Sequence, residues 1–161
     1  MPTITEMPEK LKEYAVRVTS ATPLGLTVLT FELIADCAAA AKDALTREEP
    51  ELFRKYAEKA RSALLQLMNA LDFEEPLSAQ LLRVYIYVDS CLSSAYFGKR
   101  ADKLDEAGKL VRILLESFRS LPDGGEAPAM ENAERIFAGL TYKNGKLGEY
   151  VDSGENRGYQ A

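Results

Sequence analysis

The sequence contains no histidine. That absence removes Ser–His and Cys–His nucleophile pairs, every zinc site that uses imidazole, and the Glu-x-x-His elements of a di-iron bundle. Cysteine is almost as scarce. Cys37 and Cys91 are the only two, both in apolar, helix-like surroundings and with no CxxC pair. Two thiols cannot close a zinc site, so both are expected to be free and buried. The glycines follow neither the GxGxxG nor the P-loop spacing, which excludes the common phosphate cradles. Positive charge is in deficit, with 20 Lys and Arg against 25 Asp and Glu, a net charge of −5. A non-specific nucleic-acid binder or a partner of anionic membranes needs the opposite balance. No stretch reaches the roughly 18 uncharged apolar residues of a transmembrane helix, and residues 1–22 lack the apolar run of a secretory signal. The expectation is a cytoplasmic chain with no membrane insertion, no nucleic acid, no metal and no cofactor.

What the chain does have is proline in useful places. With 161 residues, 47% of them hydrophobic, it is long enough for one domain with a real core. Pro23, Pro50 and Pro76 each follow a plausible cap residue and each open a long apolar-periodic run. Proline suits the first helical position, where no backbone donor is needed. The first run extends to about Leu45, with Leu26, Leu29, Leu33, Cys37, Ala40 and Ala44 at 3-4 spacing. The second ends near Leu71 and carries Phe53, Tyr56, Ala60, Leu64, Leu67 and Leu71. The third holds Leu77, Leu81, Val84, Val88, Cys91, Leu92 and Ala95, and Gly98 is expected to end it. The fourth, from about Lys99 to Leu121, offers Leu104, Ala107, Val111, Leu114, Leu115 and Phe118. Such runs joined by short links predict an all-α, antiparallel up-down four-helix bundle over 23–121.

Residues 1–22 form a separate N-terminal segment, expected as a short helix leading into an extended stretch. Residues 122–161 read as an extended, poorly packed tail, since seven of the ten glycines fall there. A short helix is conceivable over 129–138, with Met130, Ile136 and Phe137. The tail also keeps Leu140, Tyr142, Leu147, Tyr150, Val151 and Tyr159, more than a spacer requires.

The acidic clusters Glu48-Glu49-Glu51 and Asp72-Glu74-Glu75 sit at helix starts, where the dipole accounts for them without catalysis or metal binding. Lys55, Lys59 and Arg61, and Lys99, Arg100 and Lys103, alternate with Glu58, Asp102 and Asp105, as on a solvated helix face. The informative signal is excess apolar surface. On the third helix, Leu82, Ile86 and Phe97 point about 100° to 160° away from Leu81, off the core stripe. Such a helix either lies under another segment or carries a partner surface.

One stretch is more specific. Tyr14-Ala15-Val16-Arg17-Val18-Thr19-Ser20-Ala21-Thr22-Pro23-Leu24-Gly25-Leu26 resembles the opening of the FliS family of flagellar secretion chaperones, a tyrosine followed by a pattern close to V-x-T-A-S-P-x-E-L. Leu82-Arg83-Val84-Tyr85-Ile86-Tyr87-Val88 is similar to the family's LYxYM-type segment. Gly25 stands where the family usually has glutamate, which removes the capping-box partner of Thr22 and predicts a weaker helix start. The resemblance implies a non-enzymatic chaperone that binds the disordered C-terminal segment of flagellin as helices in surface grooves and presents it to the flagellar export gate. It implies a partner-binding set of Tyr14, Val18, Pro23, Leu26, Leu29, Tyr85 and Ile86. The residue pattern itself adds Leu82 and supports Ile86. A homo-oligomeric helical scaffold is the competing reading, in which a second copy covers the same apolar excess. A monomer or weak dimer is expected of the chaperone.

Overall fold

In the computed structural model, residues 1–122 are described, and they hold five α-helices and no strand. These are α1 (Met7–Val18), α2 (Pro23–Thr46), α3 (Pro50–Asn69), α4 (Ser78–Gly98) and α5 (Ala101–Arg119). The short helix expected over 129–138 and the C-terminal tail lie outside the described residues.

The helix starts show how local chemistry sets the boundaries. Thr22 Oγ1 accepts the Gly25 backbone N–H at 3.0 Å, so half of the capping box survives the missing glutamate. Pro50 opens α3 as expected, with Glu51 in its first turn. Pro76 does not open α4. Asp72 gathers the link into a turn, accepting the Glu74 N–H at 3.0 Å, while Ser78 Oγ donates to the Asp72 carbonyl at 2.5 Å. The helix therefore begins two residues later, at Ser78.

The end of α4 also differs from the expectation for Gly98. Gly98 is the last helical residue, and the left-handed position falls on Lys99, at φ 52°. The Arg100 N–H then returns to the Ala95 carbonyl at 3.2 Å, as in a Schellman end. A side chain in that region costs about 1 kcal/mol that glycine avoids. Lys99→Gly is therefore expected to stabilise the fold by about 1 kcal/mol, raising the melting temperature by roughly 3 °C. An unchanged or lowered melting temperature would contradict it. Glu48, at φ 58° between α2 and α3, has the same geometry.

Around the core, α2 packs on α3 and α5, α4 packs on the same two helices, and α1 lies on α2. Lys42 pairs with Asp105 at 2.9 Å and Glu32 with Arg119, so α2 and α5 run in opposite directions. Arg61 pairs with Asp89 at 2.8 Å, and Tyr96 O–H donates to Glu58 at 2.7 Å, which opposes α3 and α4 in the same way. Small residues let α2 approach its neighbours: Ala40, Ala41 and Ala44 are fully buried, as is Ala107 of α5. At the centre, the Phe31 ring meets Tyr85 at 6.2 Å and the edge of Phe118 at 5.2 Å. Both cysteines are free and buried. Burial pushes the Cys37 thiol up to about 12, so it is an inert apolar filler.

The apolar stripe expected for α2 needs correction. Leu29, Cys37, Ala40 and Ala44 are buried, but Leu33 is half-buried and Leu26 is 46% exposed. Phe31, Ile34, Ala35, Ala38 and Ala41 are buried in addition, because α2 contacts three elements and its buried face is wide. Leu24 and Val28 pack partly against the core, and Leu26 lies about 200° around the helix from Leu24, on the outer side. On α4, Val84 is half-buried while Tyr85 enters the core. By length and composition α2 is also apolar enough to cross a membrane, yet half of that stretch is buried inside the fold.

Candidate partner-binding surface

Residues 1–18 are fastened to α2 by polar contacts over an apolar anchor. Met7 is fully buried. Tyr14 O–H donates to the Asp36 carboxylate, and Lys10 Nζ pairs with the same oxygen at 3.2 Å. Burial first, and then the Asp36 bond, raises the Tyr14 phenol far above the usual range, so it stays a donor at any working pH. Arg17 Nη1 meets Glu32 Oε2 at 2.9 Å without hydrogen-bond alignment, and Arg119 of α5 holds the other Glu32 oxygen. The structure thus makes Tyr14 a clasp beneath α1 rather than an exposed contact. The outer side of α1 is bare at Val16, which is 70% exposed, while Val18, about 200° around the helix from Val16, is exposed at the helix end.

The first residues are tied separately. The Ile4 N–H donates to Asp43 Oδ2 at 3.0 Å. That bond, with the Arg47 side chain second, holds the Asp43 carboxyl below its usual range. A lowered folded-state pKa contributes stability above the ordinary aspartate range, and the contribution is lost as pH falls through the lowered value. Acidifying from pH 7 to well below the ordinary aspartate value of about 3.9 is therefore expected to release residues 1–6, read as faster exchange of the Ile4 amide than of amides inside α2. Undiminished protection of Ile4 in acid would contradict this.

The eight candidate residues fall into three groups. Val18, Pro23 and Leu26 are exposed around the α1–α2 connection. Leu82 and Ile86 lie on the outer side of α4, half-buried and 54% exposed respectively. Tyr14, Leu29 and Tyr85 are buried. Tyr85 packs against Phe31, and its burial raises the phenol pKa.

A further residue completes the second group. The Arg61–Asp89 and Glu58–Tyr96 pairs fix the antiparallel register of α3 and α4. One turn on from Arg61 is Leu65, and one turn back from Asp89 are Tyr85 and Ile86. Leu65 is 46% exposed. Leu65, Leu82 and Ile86 therefore form an apolar floor in the α3/α4 groove, with Phe97 exposed by 76% three turns along α4. The groove is open on its outer side among the described residues. Leu65 was detectable in the sequence. Leu65 lies about 120° around the helix from Phe53 and Leu71, outside the stripe that those residues define.

Among the described residues no group of three His, Cys, Asp or Glu could hold a metal ion. Tyr87, Cys91 and Lys103 converge on Glu106 between α4 and α5, with Tyr87 O–H donating at 2.9 Å. The Glu106 bonds lift the Tyr87 phenol to about 12, and burial lifts the Cys91 thiol to about 11. Neither group is a nucleophile at neutral pH, so the cluster serves as an interhelical strut.

Residues 1–122 are all-helical, and the apolar side chains exposed on them are of the kind that contact other proteins. The sequence profile of the flagellar protein FliS matches residues 8–124, most of the chain and all of α1 to α5 apart from Met7. The chain belongs to the FliS family, whose members are flagellar export chaperones. No curated protein gives a significant match.

Proposed function

We propose that this protein is a cytoplasmic chaperone for flagellin. It takes up the disordered C-terminal segment as helices laid in apolar surface grooves, blocks its polymerisation, and presents the complex to the export gate. Residues 23–121 act as an antiparallel up-down four-helix bundle, and residues 1–22 cover part of its surface. The observation that carries the reading is the open apolar floor of Leu65, Leu82 and Ile86, a shape suited to the apolar face of an amphipathic helix. The exposed Val18 and Leu26 add apolar surface around the α1–α2 connection, and Val16 adds more on the outer side of α1. The buried Tyr14, Leu29 and Tyr85 support these surfaces from beneath. A disordered partner spends part of its binding energy on ordering, so shallow grooves give capture that can be reversed at export. The mechanism needs no covalent chemistry.

The test is polymerisation itself. An equimolar amount of this chain is expected to keep cognate flagellin in the supernatant where flagellin alone sediments as filaments. Unimpeded filament growth would contradict the proposal. A stable dimer by light scattering that ignores flagellin would instead favour the homo-oligomeric scaffold.

A further inference from the structure

We propose that the α3/α4 groove takes an amphipathic partner helix in one orientation, its carboxylates over Arg54 and Lys99 and its cations toward Asp72 and Glu74. The first feature behind this is the length of the groove. Arg61–Asp89 and Glu58–Tyr96 hold α3 and α4 side by side in antiparallel register. Leu65, Leu82 and Ile86 supply apolar surface toward one end, and Phe97 stands three turns further along α4, about 16 Å from Ile86. The Phe97 ring meets Tyr96 edge-on at 5.1 Å, and Tyr96 stacks on Phe53 at 6.4 Å, so the far anchor has a packed base.

The second feature is opposite charge at the two ends. Glu58 raises the Tyr96 phenol and Arg54 opposes it, which places Arg54 beside the aromatic anchor. Lys99 follows Phe97 by two residues, and both cations are exposed. At the other end, Asp72 and Glu74 are exposed in the link between α3 and α4. None of these four has an ion-pair partner among the described residues. Nor does a helix dipole absorb the carboxylates. Because α4 begins at Ser78, Asp72 and Glu74 stand ahead of its first turn, whereas Glu51 lies inside the first turn of α3 and answers that dipole.

The apolar floor then supplies affinity and the charged ends supply direction. A helix laid the other way brings like charges together at both ends, and complementary potentials of this kind fix register more than they add affinity. The inference rests on the groove being the partner site of the proposed function, and it adds which end of the partner lies where.

The experiment uses the full chain and a synthetic amphipathic helix with leucines at 3-4 spacing, glutamates confined to one half and lysines to the other. A nitroxide label is attached at either end of this probe. The label at the glutamate end is expected to broaden the backbone amide signals of Phe97 and Gly98, and the label at the lysine end those of Asn69 and Phe73. Equal broadening at both ends, or the reverse pattern, would overturn the proposal. The Arg54→Ala, Lys99→Gly variant, with unchanged helical circular dichroism, is expected to lose the preference and bind the probe about fivefold more weakly at low salt. That difference is expected to vanish in about 1 M salt, where the screening length is about 3 Å. Ile86→Asp separates the two claims. Binding that it abolishes, but that shows no end preference in the parent, would remove the orientation alone. Binding that survives it, or no binding by the parent, would remove the groove as a partner site and the orientation with it.

Discussion

Ile86→Asp is expected to weaken capture of a flagellin C-terminal peptide by about 30- to 100-fold while leaving the fold intact. Ile86 is more than half exposed on the outer side of α4. Against a bound helix it loses the rest of its solvent contact, and a carboxylate there would have to shed water beside Leu65 and Leu82. Lost apolar burial and charge desolvation together amount to about 2–3 kcal/mol, the size of an interface hot spot. In the free protein the aspartate stays in water, so stability should change by no more than about 0.5 kcal/mol. Calorimetric titration and thermal melting on the same preparations separate the two effects. A collapse in melting temperature would make Ile86 a core residue. Parent-like affinity would remove the α3/α4 groove from the partner site.

Phe31→Ala should do the reverse and act on the fold first. Phe31 is fully buried and touches both Tyr85 and Phe118, so it joins α2, α4 and α5 at one point. Removing the ring leaves a cavity that three helices cannot all close, at a cost of about 3–5 kcal/mol. That is a large part of the roughly 5–15 kcal/mol available to a domain of this size. Urea unfolding is expected to show a midpoint lowered by about 1–2 M with an unchanged slope. A loss below about 1 kcal/mol would show that the aromatic cluster is not the centre of the core.

Much of the architecture is legible because helix propensity, proline position and 3-4 periodicity agree. Pro23 and Pro50 mark true helix starts, and the stripes of α3 and α5 coincide with their buried faces almost residue by residue. Pro76 misleads because its neighbour Asp72 organises a turn, and side-chain capping of that kind competes with helix initiation. Gly98 misleads by one position, because the left-handed conformation falls on Lys99 instead. Leu26 fails for another reason. A single 3-4 stripe cannot represent a helix that packs on three neighbours at once.

The surface was harder to read than the core. Ile86 and Leu82 stand out because α4 has more apolar residues than one stripe can hold. Tyr85 looked equivalent to them in sequence, yet 100° of rotation puts it beside Phe31. The clasp under α1 depends on Tyr14 meeting Asp36 and Arg17 meeting Glu32. Those pairs lie 22 and 15 residues apart across a reversal of chain direction, beyond the reach of any helical periodicity.

The account stands most directly on calorimetric titration of this protein with a peptide covering the flagellin C-terminal segment. It predicts one-to-one, sub-micromolar binding whose heat-capacity change is negative, the mark of apolar surface buried as the peptide folds into a groove. Absence of binding would contradict it.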